Sequence, residues 1–188
     1  SRFIPSDYPI NLEDLLFKYG VRINADLLQD LQCDKVPLVV GSLGDKPQMQ
    51  LTDWPYFPLL SSYSNHPIAK NLNQVLSIFP NSIDTIKTPG ITKTILLASS
   101  SNSRTLITPA MVSLNSVKTE DDIKTFNKAH VPVAVLLEGR FSSLYSNRLS
   151  KGKLDSLANL YQQPFLSSAP VANKMIVVSD ADIVSNVF

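Results

Sequence analysis

Met175-Ile176-Val177-Val178-Ser179-Asp180-Ala181-Asp182 is the stretch that decides the predicted fold. Its first four residues are apolar and rich in β-branched side chains. Such a run suits a strand buried on both faces, as in a parallel sheet. It stops abruptly at turn and cap residues, and Ile183 and Val184 restart apolar character. In open α/β sheets, ligands bind where strands end at their carboxyl edge. Ser179, Asp180 and Asp182 therefore sit where chemistry would sit. The plainer use of the two carboxylates is to cap and turn the chain, and it takes precedence.

Other runs repeat the pattern. Residues 131–137 form the longest apolar run and predict a buried strand, despite Pro132 near its start. Residues 92–99 and 36–40 predict two more, and 46–53 alternate as a hairpin arm would. Short strands are expected at 21–24, 75–79, 81–86 and 111–116; Leu27, Leu28 and Leu31 in 25–33 fit either a strand or a helical turn, and strand is preferred. Asn11 can cap a helix, with Asp14 in the capping-box position and Gly20 as its stop. Leu12, Leu15, Leu16 and Tyr19 mark its apolar face. A short helix is expected at 65–73, with Pro67 in its first turn. Thr119 caps another, where Glu120, Asp121 and Asp122 favour the helix dipole. Leu154, Leu157, Ala158 and Tyr161 have helical spacing, and 162–174 reads as a connector. Residues 54–60 hold Trp54, Tyr56, Phe57 and two prolines, and read as an irregular apolar strap whose aromatics either stack on a sugar or a partner or, equally, pack into the core.

These elements predict one α/β domain over residues 1–188, with a mixed, largely parallel sheet flanked by helices. Flavodoxin-like or glutamine-amidotransferase-like layers are expected. Val187 and Phe188 follow a strand and turn with no closing element, so the chain is expected to be a soluble piece excised from something longer. Such a piece exposes a strand edge or apolar face. A twofold homodimer through Trp54, Tyr56 and Phe57 is the simplest expected outcome.

Composition excludes several classes. Net charge is +1, which argues against electrostatic capture of nucleic acid. Cys33 is the sole cysteine, so neither an intrachain disulfide nor a thiolate zinc site can form. No apolar run approaches the roughly 18 residues of a membrane span.

Parallel strands end on the same side, so residues 99–104, 138–143 and 179–182 are predicted to converge at one rim. The candidate binding residues are Ser101, Asn102, Arg104, Glu138, Arg140, Ser143, Asp180 and Asp182. Glu138, Asp180 and Asp182 could hold a hard cation there. Pairing of Glu138 with Arg140 or Arg104 is preferred, and no metal or other cofactor is expected. A nucleophilic hydrolase needs Ser or Cys beside a base. His66 and His130 are placed away from Ser99, Ser101 and Asp180, so no catalytic residues are assigned. Gly41-Ser42-Leu43-Gly44 lacks the Lys-Ser of a phosphate loop.

Several stretches, taken in order, resemble a known family. They are Phe17-Lys18-Tyr19-Gly20-Val21-Arg22-Ile23-Asn24; residues 99–104 with Thr108-Pro109; residues 131–139 with Phe141, Ser143, Asn147 and Arg148; and Ser179-Asp180-Ala181-Asp182-Ile183. Together they resemble GldG, the gliding-associated auxiliary component of an ABC transporter in Bacteroidetes. The resemblance implies a membrane-anchored parent with an extracytoplasmic α/β domain at the periplasmic face of the inner membrane. It implies permease and ATPase partners, and a link to gliding motility or surface secretion. It carries no catalytic residues. A non-catalytic accessory role is thus the leading expectation, ahead of a small-ligand or sugar-binding module at the rim and then a serine hydrolase.

Overall fold

The computed structural model describes residues 2–5, 9–44, 46–114, 117 and 119–185. The expected ends of the 111–116 strand, Asn115 and Ser116, lie outside the described residues, as do Val187 and Phe188. In chain order the elements are β1 (Arg2–Phe3), α1 (Glu13–Tyr19), β2 (Val21–Ile23), β3 (Asp26–Asp30), β4 (Cys33–Leu43) and β5 (Lys46–Leu60). β6 (Val75–Leu76), β7 (Ile83–Thr85), β8 (Ile91–Ala98), β9 (Ser103–Ile107) and β10 (Val112–Ser113) follow. The chain continues with α2 (Glu120–Lys124), β11 (Pro132–Gly139), α3 (Lys151–Tyr161), β12 (Asn173–Val178) and a 3₁₀ turn (Asp182–Val184).

β11 is the central strand. It lies between β8 and β12 in a sheet of order β12-β11-β8. Strand side chains alternate between faces, and β11 uses both. Ala134 and Leu136 enter a core with Leu28, Leu60, Ala69, Leu96 and Leu97. Val135 and Leu137 enter a second core with Leu16, Tyr19, Val21, Ile83 and Val177. α1 covers this second core. Its helical stop is Gly20, at φ 90°, where a side chain would also collide with Thr88 and Lys93. The helix begins at Glu13 after Leu12, without a side-chain cap from Asn11.

The doubly buried strand is therefore β11. β12 is an edge strand, and its Ile176 is 49% exposed. Every pairing between described strands is antiparallel, where the sequence predicts a largely parallel sheet. The reason is visible in the connections. Parallel neighbours need a crossover that covers the sheet, usually a helix. α2 has only 5 residues, and α3 buries none of its own. At the close approach of β11 to β8, a Cβ on Gly139 would run into the Gly90 carbonyl.

β4 and β5 form a long hairpin. Its base, Trp54 and Tyr56, packs with Leu27 and Val112 in a third core, flanked by Phe57 and Phe79. The predicted strap is thus a continuation of β5, and Trp54 and Tyr56 face inward. Pro55 falls at the register shift between the Lys35–Asp53 and Cys33–Pro58 pairs, where the ladder is interrupted, and Pro58 uses its carbonyl to accept from the Ser77 amide. Beyond these residues the hairpin gives the cores Leu60, at the end of β5, and Val36. The expected helix at 65–73 is a series of turns, with Ala69 and Lys70 amides both donating to the His66 carbonyl.

Candidate functional site

The antiparallel sheet splits the predicted rim. Ala98 ends β8 beside Pro132, and Val178 ends β12 beside Ala134. Ser101, Asn102, Arg104, Asp180 and Asp182 thus follow strand ends beside the start of β11. Gly139 ends β11 beside Ile91 and Asn173, so Glu138, Arg140 and Ser143 belong to the opposite edge. At about 3.4 Å per residue, β11 separates the two groups by about 24 Å.

Each group is then accounted for locally. Asp180 is buried; its Oδ2 accepts from Ser77 Oγ at 2.5 Å and the Ile78 amide at 2.8 Å, and its Oδ1 from the Asp182 amide at 2.9 Å. It turns the chain rather than facing a ligand, while Asp182 is exposed at the start of the 3₁₀ turn. Ser101 and Asn102 are exposed, and the Asn102 carbonyl accepts from the Leu31 amide. Arg104 donates to Gln29 Oε1 and Thr125 Oγ1, both at 2.6 Å, and lies 4.4 Å over the Phe126 ring. Glu138 pairs with Lys174 at 2.8 Å, not with the expected arginines. The hydrogen bond from Lys174 holds its carboxyl below the usual range. Arg140 is exposed. The Ser143 carbonyl accepts from Lys18 Nζ at 2.5 Å, and its hydroxyl oxygen accepts from the Tyr145 amide at 3.2 Å. Among the described residues no set of His, Cys, Asp and Glu gathers that could hold a metal.

The sequence missed two buried carboxylates on β3. Asp26 accepts from the Ser82 amide at 2.8 Å and Ser82 Oγ at 2.6 Å. Asp30 accepts from the Ser100 amide and Ser100 Oγ, both at 2.6 Å, and from the Gln32 amide at 2.9 Å. With Asp180 they share one device: a buried carboxylate holding a serine hydroxyl and backbone amides of a distant loop. Buried charge needs such partners.

His130 is close to the serines, contrary to its predicted placement, because antiparallel pairing sets the start of β11 beside the end of β8. Its amide donates to the Ser100 carbonyl at 2.9 Å, and its ring lies 4.0 Å from that of Tyr63. Ser100 Oγ donates to Asp30 and Ser99 Oγ accepts from the Val131 amide at 2.9 Å. Neither hydroxyl is bonded to the imidazole, the contact on which nucleophile activation depends.

Cys33 is half-buried, and burial together with the nearby Asp53 carboxylate pushes its thiol up to about 11. The thiolate is the reactive form. Alkylation by iodoacetamide at pH 8 should therefore run about 100-fold slower than for an ordinary thiol, from the smaller thiolate fraction. The rate should keep climbing above pH 10. Labelling at the rate of a free thiol would contradict this environment.

Two open clefts flank β2. One, of about 840 Å³, lies between β2 and β7 on one side and β9 with residues 128–132 on the other. The second, of about 660 Å³, lies between α1 and residues 144–148. Both fall within the size range of ligand sites. Arg22 and Ile23 line both clefts. Residues of two resembling stretches meet in the second, including Phe17, Lys18, Asn147 and Arg148.

Beyond the clefts, the β4–β5 ribbon exposes a run of apolar side chains. Val39 is 62% exposed, Met49 64% and Leu51 65%. Register pairs Val39 with Met49 and Pro37 with Leu51, so these side chains share one face. From 36 to 44 and from 47 to 52 the ribbon carries no charge.

A β-rich domain with its buried polar groups tied into loops, open clefts and an apolar ribbon has the character of a binding or assembly component. The chain belongs to the ABC transporter auxiliary family, described as "ABC-type uncharacterized transport system", which matches residues 5–188. It is thereby assigned to an auxiliary component of an ABC-type transport system. No curated protein and no solved structure matches the chain. Among the described residues no helix is long and apolar enough to cross a membrane.

Proposed function

We propose that this chain is the non-catalytic, extracytoplasmic accessory part of an ABC transport system, docked on its membrane subunits through the β4–β5 ribbon. The ribbon carries the proposal: an uncharged face of Pro37, Val39, Met49 and Leu51, exposed on a hairpin whose base alone is packed. Exposed apolar faces of this kind mark interaction sites. The partners are a permease and an ATPase. The setting is the periplasmic face of the inner membrane, with the parent protein membrane-anchored and its strands part of a larger layered α/β domain.

The finer assignment is to GldG-like components of Bacteroidetes, tied to gliding motility or surface secretion. It rests on the resembling stretches, of which two meet around Phe17 and Asn147. Self-association, which the sequence placed on Trp54, Tyr56 and Phe57, passes to the ribbon because the first two of those side chains are buried. Co-purification with a permease and an ATPase from solubilised membranes tests the proposal. Recovery of the parent protein without them would overturn it.

A further inference from the structure

The two clefts meet at Arg22 and Ile23, and at that junction β2 has an open edge. β2 pairs with β7 alone. The Asn24 amide donates to the Ser82 carbonyl, and the Ile86 amide to the Gly20 carbonyl. These bonds fix which residues of β2 face β7. In an antiparallel ladder such residues alternate with ones whose backbone groups turn outward. Asn24, Arg22 and Gly20 face β7, so the amide and carbonyl of Ile23 turn away from it, toward the side with no strand.

The charges along the clefts are unequal in their partners. Arg22 is paired with Asp84 at 2.7 Å, and Arg148 with Asp14 at 3.1 Å. Lys18 instead meets the Ser143 carbonyl at 2.5 Å and Ser146 Oγ at 3.4 Å. Lys128 meets Thr105 Oγ1 at 2.5 Å. Among the described residues neither lysine has a carboxylate partner. Lys18 lines one cleft and Lys128 the other, with Ile23 between them. Three exposed acids also line the clefts: Asp84 and Asp14, each paired with its arginine, and Glu13, in the same cleft as Lys18.

We propose that the clefts form one groove that takes an extended acidic polypeptide segment, laid along the open edge of β2 with its carboxylates on Lys18 and Lys128. An unpaired strand edge recruits extended chains, and main-chain hydrogen bonds supply affinity. Exposed Phe17 and Ile107 line the groove and offer apolar contacts to alternate side chains. Neither cleft presents a Trp or Tyr face for a sugar ring, which favours a peptide over an acidic glycan. The proposal is independent of the docking ribbon, which lies elsewhere on the chain.

The test uses fluorescence anisotropy on the purified chain. The probe is a labelled peptide of about eight residues, alternating Glu and Val to favour extension. Saturable binding is expected, and Lys18→Glu and Lys128→Glu should each weaken it by about tenfold. Methylating alternate backbone amides of the probe should abolish binding. This last comparison leaves the protein unaltered, so it stands even if a lysine variant misfolds. Equal binding of a Lys/Val peptide, undiminished binding of the methylated probe, or no binding at millimolar peptide would overturn the proposal. Binding of oligogalacturonate in place of the peptide would also overturn it, in favour of a glycan.

Discussion

Asp30→Ala should lower the unfolding free energy by about 3–5 kcal/mol, a loss of about 10 °C in Tm for a chain of this size. Asp30 is fully buried at the end of β3. It receives the amide and hydroxyl of Ser100 and the amide of Gln32. Alanine leaves those donors without their acceptor, and Ser100 is buried too. Hydrogen bonds to a charged acceptor are the costly ones to lose. Asp30→Asn keeps the shape and one acceptor, so its loss should be smaller. Urea denaturation of both variants measures the order. An alanine variant within 1 kcal/mol of the parent chain would show that Asp30 does not hold the 99–103 loop.

Tyr56→Ala should cost about 3–5 kcal/mol, as large aromatic truncations in cores do. Its ring is fully buried, 5.1 Å from that of Trp54 and 5.6 Å from that of Phe79. Because Trp54 is the sole tryptophan, its emission reports on this core directly. The native chain should emit at short wavelength, and Tyr56→Ala should shift the emission to the red. Emission typical of a solvated indole in the parent chain would return these aromatics to the surface.

Several features were legible because their signals are local. The apolar run at 131–137 identified β11, and Gly20 marked the end of α1. Thr119 caps α2 as expected, and it also exchanges the hydrogen bonds of a capping box with Asp122, a feature the sequence predicts only at Asn11 and Asp14. The alternating 46–53 arm does pair back on the preceding strand, along a hairpin longer than expected.

What escaped was set by distant partners. Asp26 and Asp30 sit in Asp-Leu-Leu-Gln-Asp, whose acids read as surface residues. Their serine partners lie 56 and 70 residues away, so no local pattern announces them. The strand β9, Ser103–Ile107, was hidden in a polar sequence. It forms because it pairs along all of β3. The rim failed for one reason: a short apolar run does not report its direction relative to its neighbours. Antiparallel pairing then sent Glu138 and Asp180 to opposite edges, while bringing His130 to Ser99 and Ser100.

The most direct test is recovery of the parent protein from solubilised membranes, native and with Val39→Asp and Met49→Asp together. Those side chains are exposed cross-strand neighbours, so charge there should leave the fold intact. The native protein should bring down its permease and ATPase, and the double variant should lose at least tenfold of both, as buried unpaired charge at an interface demands. Equal recovery with the charged ribbon would remove the ribbon as the docking element. Absence of both subunits from the native sample would contradict the accessory role itself.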